Sequence, residues 1–417
     1  MDKFRISGRR KLSGNVAISG SKNAALPIMV ASLLASGKFK IENVPNLRDT
    51  RTMAKLLRMI GAKIDFSNGE MKIDTTNAKN PEAPYDLVKT MRASIYVLGP
   101  LLAKFGKAKV SFPGGCAIGP RPIDLHIKVM KELGANVEVK HGYIQAECNQ
   151  LVGNKISFQK RSVGATANAL MASVLAKGET IIENAAQEPE ISNLIDFLNK
   201  MGANIKGNGT DILRISGVSK LNPVEIEIIP DRIEAGTFLL AGAITKSEIA
   251  ITNCIPEHLK SLIEKLEQAG FKFEIKNNEI KIIPVKTIRP VDIITKPYPD
   301  FPTDLQAQFM ALMTLSNGKC FIEETIFQDR FMHIAELNRL DADIRIEKNI
   351  AIINGVKSLS GAEVMASDLR ASAALVLAGL AAKGETIIHR IYHIDRGYEK
   401  IEEKLSNLGA KIERIGD

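Results

Sequence analysis

The chain has 417 residues, 45% of them apolar and 25% charged, enough for two or three domains with sizeable cores. That mix excludes a disordered, fibrous or disulfide-dense protein. The net charge of +9, from 56 basic and 47 acidic residues, is scattered and aromatics are only 5%, which argues for an anionic small substrate rather than nucleic acid.

Taken in chain order, Met1–Gly20 reads as polar strands rather than a secretory leader, and the longest apolar runs, Ala24–Ala35 and Ala371–Ala382, fall short of a membrane span. Cys116, Cys148, Cys254 and Cys320 form no CxxC pair, so a reducing cytoplasm is expected, with no membrane partner. From there a helix end followed by a strand start recurs: Ile60-Gly-Ala-Lys-Ile, Leu133-Gly-Ala-Asn-Val, Met201-Gly-Ala-Asn-Ile, Ala269-Gly-Phe-Lys-Phe, Leu340-Asp-Ala-Asp-Ile and Leu408-Gly-Ala-Lys-Ile. The spacings are 73, 68, 68, 71 and 68 residues, the signature of an internal repeat. A second marker precedes each by 23 to 28 residues, a helix stop and a short alternating strand, as in Ser36-Gly-Lys-Phe-Lys-Ile-Glu-Asn and Lys177-Gly-Glu-Thr-Ile-Ile-Glu-Asn.

Between the markers runs an amphipathic helix, with Met53, Leu56, Leu57 and Ile60 at helical spacing. Before each helix stop lies a helix apolar all round and therefore buried: Ala24–Ala35, Ala93–Lys104, Ala165–Ala176, Ala235–Ile244, Leu305–Leu315 and Arg370–Ala382. Six such units make two pseudo-symmetric α/β domains of three, residues 1–20 with 230–417 and residues 21–229, with the active site expected in a cleft between them. A single long solenoid is the alternative.

Each buried helix starts in a polar stretch, including Ser21-Lys-Asn, Met91-Arg-Ala-Ser, Lys160-Arg-Ser-Val and Ser367-Asp-Leu-Arg. Capping explains Ser, Thr and Asp there, and Thr303-Asp-Leu-Gln306 fits a capping box. It does not explain Lys22, Arg92, Lys160 and Arg370, because a cation at a helix start opposes the dipole. Repeated at equivalent places, these cations point to phosphate or carboxylate ligands. One loop breaks the repeat, Phe112-Pro-Gly-Gly-Cys-Ala-Ile-Gly-Pro-Arg-Pro-Ile-Asp-Leu-His126, with Cys116 near Arg121, a setting that lowers a thiol pKa. No phosphate-binding Gly-rich motif or HExxH occurs, and His126, His141, His258, His333, His389 and His393 lack metal-ligand spacing.

Ser21-Lys-Asn-Ala, Pro113-Gly-Gly-Cys-Ala-Ile-Gly-Pro-Arg-Pro122, Ser162-Val-Gly-Ala-Thr, Phe301-Pro-Thr-Asp-Leu-Gln-Ala-Gln and Tyr392-His-Ile-Asp-Arg-Gly-Tyr-Glu resemble the UDP-N-acetylglucosamine 1-carboxyvinyltransferase family over essentially the whole chain. The resemblance implies a two-domain inside-out α/β barrel and no cofactor or metal. It implies enolpyruvyl transfer from phosphoenolpyruvate to the sugar 3′-hydroxyl by addition and elimination, in peptidoglycan synthesis and hence cell shape and division. It further implies Cys116 as proton donor and target of fosfomycin, Asp304 as proton acceptor, and Lys22, Arg121 and Arg396, with Asn23, as the clamp on phosphate and carboxylate. Arg92, Arg121, Pro122, Ile123, Asp124, Leu125, Lys160, Arg161, Ser162, Val163, Asp304 and Ile326 match the family's UDP-sugar contacts. Asp49, Arg330, Asp368 and Arg370 are second candidates, with structural ion pairs the alternative. Tyr96 stands where several relatives carry Trp. The resemblance implies an enzyme, with a monomer favoured; the shikimate-pathway enolpyruvyl transferase and a nucleic-acid-binding repeat protein are the competing readings.

Overall fold

The computed structural model describes residues 2–89, 91–112, 123–327 and 329–416. By internal contacts the chain splits into Gly20–Ile229 and a discontinuous unit of Met1–Ser19 with Pro230–Asp417. Each unit contains three repeats, and each repeat ends in a four-stranded sheet of one design.

Lys155–Ser157 shows that design. This short strand leads through the buried helix Val163–Ser173 to Glu179–Glu183, with which it pairs in parallel. Parallel neighbours need a crossover of this kind, and the buried helix supplies it. The amphipathic helix Pro189–Lys200 follows, then Asn204–Lys206 and Ile212–Ser216, antiparallel to each other, with Ile212–Ser216 beside Glu179–Glu183. Alternation decides which face is buried: in Lys38–Glu42, Phe39 and Ile41 point inward and the charged residues outward.

Helices fill the inside of each unit, because Lys22–Ala31, Val163–Ser173, Arg232–Ile244 and Leu369–Ala381 have no polar face to show to water. Met53, Leu56, Leu57 and Ile60 are all fully buried, so the 3.6-residue period marks the inward face of Arg48–Ile60. The helices are inside and the sheets outside, but among the described residues the six sheets remain separate; no barrel closes.

Two short strands depart from the pattern. Asn15–Ala17 precedes the helix Lys22–Ala31 yet pairs with Ile249–Thr252, and Glu225–Glu227 precedes Arg232–Ile244 yet pairs with Lys38–Glu42. At each crossing from one unit to the other the short strand stays behind. The last sheet takes its fourth strand from the beginning of the chain, Lys3–Ser7, set between Glu385–His389 and Lys411–Ile415.

The markers have local causes. Arg48–Ile60 stops at Gly61, whose φ of 110° is free only to glycine; Asp341 takes the equivalent place at φ 66°. The Asn ending three of the strands is also left-handed, and its amide secures the neighbouring short strand: Asn43 donates to the Ile228 carbonyl at 2.8 Å, Asn184 to Phe158 at 2.8 Å and Asn253 to Ile18 at 2.7 Å.

The Thr303–Gln306 capping box does not form. Residues Thr303–Leu305 make a 3-10 turn before the helix Gln306–Met313, Thr303 Oγ1 donates to Glu324 instead, and the Gln306 amide is buried without a partner. Aspartates do cap two inner helices: Asp231 accepts from Ile233 and Glu234, and Asp368 from Arg370 and Ala371.

Candidate active site

Asp304 lies in the 3-10 turn ahead of Gln306–Met313, where two arginines grip its carboxylate. Arg330 Nη1 is 2.9 Å from Oδ1 and Arg370 Nη2 is 3.0 Å from Oδ2; both guanidinium groups are 6% exposed, the carboxylate 29%. The surroundings fix both arginines. Arg330 donates to Thr303 Oγ1 at 2.9 Å, and Thr303 donates to Glu324 at 2.8 Å. Glu324 also accepts from Thr295 Oγ1 and the Ile326 and Phe327 amides, which shapes the chain at Ile326. Arg370 donates to the buried Tyr398 hydroxyl, which meets Thr237 and Gln308 as well.

Desolvation works against the ionised Asp304, but the charges and hydrogen bonds of Arg370 and Arg330 outweigh it and hold its carboxyl well below the usual carboxylate range. That lowered value contributes stability above the unfolded value of 3.8, and the contribution is lost as pH falls through the folded one. At neutral pH Asp304 is therefore a fixed carboxylate with one side open to water. Arg370→Leu is expected to destabilise the protein by about 2–3 kcal/mol at pH 7, below the full cost of breaking a buried pair because Arg330 still holds Asp304. Urea unfolding measures it; a change under about 0.5 kcal/mol would mean that water screens the pair.

The charges of Arg330 and Arg370 thus have partners inside the fold, as does Lys22, whose Nζ lies 3.4 Å from Asp49. Asp368 is a helix cap, its second oxygen accepting from Ser367. Arg396 ends the 3-10 turn Ile391–Arg396, two residues before Tyr398, so the Asp304 cluster and Arg396 belong to one neighbourhood.

In Gly20–Ile229 the sequence candidates gather at helix starts. Lys22 and Asn23 open Lys22–Ala31, Arg92 opens the 3-10 stretch Arg92–Val97, and Asp124 and Leu125 open Asp124–Glu132 behind the buried Ile123. Ser162 caps the helix beginning at Val163 by accepting from Ala165 N at 3.3 Å. Lys160 is exposed; Arg161 is turned back onto Asn184, 3.0 Å away. Cys116, Arg121 and Pro122 lie outside the described residues. Asn168, which sequence reasoning passed over, and His126, which it considered only as a metal ligand, tie these starts together. Asn168 accepts from Gly99 N and donates to the Ile95 carbonyl, with His126 Nδ1 at 2.8 Å. Burial, with Arg92 nearby, lowers the His126 pKa to about 4. Tyr398 and Glu324 were missed in the same way, although Tyr398 stands in a quoted motif and Glu324 directly follows the strand Lys319–Glu323.

A profile of the EPSP synthase (3-phosphoshikimate 1-carboxyvinyltransferase) family matches residues 6–405. The enolpyruvyl transferase NikO of Streptomyces tendae is similar in structure with a TM-score of 0.90 and 26% identity, over 99% of this chain and 98% of that one. An EPSP synthase of Acinetobacter baumannii reaches 0.77 at 19% identity over the full length of both and bears on the fold alone. The fold is therefore that of the enolpyruvyl transferases, and the chain is a transferase. The UDP-N-acetylglucosamine 1-carboxyvinyltransferases of Geotalea uraniireducens and Geobacter metallireducens are each 55% identical to it over 415 residues, covering 100% of both chains. The chain belongs to the UDP-N-acetylglucosamine 1-carboxyvinyltransferase family. Among the described residues no helix is long and apolar enough to cross a membrane.

Proposed function

We propose that the protein transfers the enolpyruvyl group of phosphoenolpyruvate to the 3′-hydroxyl of UDP-N-acetylglucosamine, releasing phosphate, in the cytoplasm and as a step of peptidoglycan synthesis that serves cell shape and division. The observation that carries this reading is full-length identity of 55% to carboxyvinyltransferases named for that sugar nucleotide.

In the addition step the sugar oxygen bonds to C2 of phosphoenolpyruvate while C3 gains a proton and the hydroxyl loses one. In the elimination step the C2–O bond to phosphate breaks and C3 gives a proton back. Asp304 accepts the hydroxyl proton. A carboxylate gripped by two arginines is a weak base, which suffices when proton loss accompanies carbon–oxygen bond formation and the hydroxyl turns acidic. Cys116 donates the proton to C3, and its thiolate is the group that the epoxide fosfomycin alkylates.

Arg330 and Arg370 serve Asp304, and by the family resemblance Lys22, Arg121 and Arg396, with Asn23 beside them, neutralise phosphate and carboxylate, Lys22 while also facing Asp49. Arg92, Arg121–Leu125, Lys160–Val163 and Ile326 hold the UDP-sugar. A phosphate-release assay with phosphoenolpyruvate and either UDP-N-acetylglucosamine or shikimate 3-phosphate tests the assignment. Turnover is expected with the sugar nucleotide, and turnover with shikimate 3-phosphate alone would overturn it.

A further inference from the structure

The turn that carries Arg396 opens on Arg390 in the left-handed conformation at φ 59° and is anchored in the core by the buried Ile391 and Ile394; the residues on either side of Arg396 are gripped as well. On the far side of Arg396 the grip is close. A Cβ on Gly397 would lie 2.6 Å from Leu369 Cδ2, and the Tyr398 hydroxyl accepts from Arg370 Nη1 at 3.3 Å.

On the near side the grip is a salt bridge. Asp395 receives two parallel hydrogen bonds from Arg414, Nη2 to Oδ1 at 2.6 Å and Nη1 to Oδ2 at 3.1 Å. Arg414 is itself held. Its Nε donates to Glu402 at 2.7 Å, its guanidinium lies over the Phe4 ring at 5.2 Å, and its backbone pairs with Phe4 in the sheet. A two-bonded arginine–carboxylate pair sets direction as well as distance.

We propose that Arg414 is a positioning residue for Arg396: through Asp395 it fixes the turn Ile391–Arg396 and so aims the Arg396 guanidinium at the anionic groups of phosphoenolpyruvate. This rests on the assignment of Arg396 to the phosphoenolpyruvate clamp. The pair is 29% exposed on the Arg414 side and 36% on the Asp395 side, so water screens part of its charge, and in Asp395→Asn the bond to Glu402 and the Phe4 ring still hold Arg414. Its effect belongs in substrate binding.

Steady-state kinetics of Arg414→Gln, Asp395→Asn, Arg396→Ala and the double variant Arg414→Gln/Arg396→Ala decide the matter. Each of the first two is expected to raise the phosphoenolpyruvate KM about tenfold, with the UDP-N-acetylglucosamine KM within about twofold and the melting temperature nearly unchanged. In the Arg396→Ala background Arg414→Gln is expected to add nothing, because both act through one group. If Arg396→Ala raises the phosphoenolpyruvate KM while both tether variants leave it alone, the inference fails. It fails equally if the effects add, or if both KM values shift together with the melting temperature. An Arg396→Ala enzyme with an unchanged phosphoenolpyruvate KM would instead remove the clamp assignment on which the inference stands.

Discussion

Asp304→Asn is expected to lower kcat by about 10²–10⁴-fold while UDP-N-acetylglucosamine and phosphoenolpyruvate still bind, the range that loss of a positioned proton acceptor spans. The amide has nearly the shape of the carboxylate, but only one of its arms accepts. Placed between Arg330 and Arg370, the other arm turns donor against donor, so a loss of about 1–3 kcal/mol in stability should accompany the kinetic defect. The pH profile separates the two effects. With its pKa held well below the usual carboxylate range, Asp304 in the native enzyme stays ionised across the working range and contributes no acid limb above about pH 5. An acid limb above that point that vanishes in Asp304→Asn would contradict the double-arginine grip. Unchanged kcat would remove Asp304 from the chemistry.

Cys116→Ser is expected to lose most turnover, about 10²–10⁴-fold, for a reason that concerns acidity rather than shape. A thiol ionises near pH 8.5 in water and gives its proton readily, whereas a hydroxyl does neither at neutral pH. The same difference abolishes labelling by fosfomycin, since only a thiolate opens the epoxide. Binding of UDP-N-acetylglucosamine is expected to survive, which calorimetry with the sugar nucleotide measures directly. Undiminished turnover would take Cys116 out of the mechanism.

The helices were legible wherever a face repeats, as at Met53, Leu56, Leu57 and Ile60, because burial of one stripe forces the 3.6-residue period. The short parallel strands were not, because two residues such as Glu82–Ala83 carry no period and owe their structure to the neighbour they lie against. Thr303 was misread as a cap for a related reason: its partners, Glu324 and Arg330, are 21 and 27 residues away, and tertiary contacts outbid the local motif. The site shows the same division. Asp304 was named by its motif, but the arginine 66 residues further on that holds its charge could only be offered as one end of a candidate ion pair. The bond between Asn168 and His126 left no trace, since the two stand 42 residues apart on different helices and nothing local pairs them. The loop around Cys116 stood out as a Gly- and Pro-rich breach in an otherwise regular repeat and as a motif of the family it resembles.

The strand Lys3–Ser7, placed between Glu385–His389 and Lys411–Ile415, has a consequence for biosynthesis. It leaves the ribosome long before the two strands it lies between. At roughly 5–20 residues per second the delay is about 20–80 s. Gly20–Ile229, by contrast, holds all three of its sheets within one continuous stretch and can finish when Glu225–Glu227 emerges. The continuous unit is therefore complete before the sheet that holds Lys3–Ser7, with Phe4 and Ile6 waiting in water between Lys3, Arg5 and Ser7. Those polar neighbours guard an unpaired strand that has nowhere yet to go.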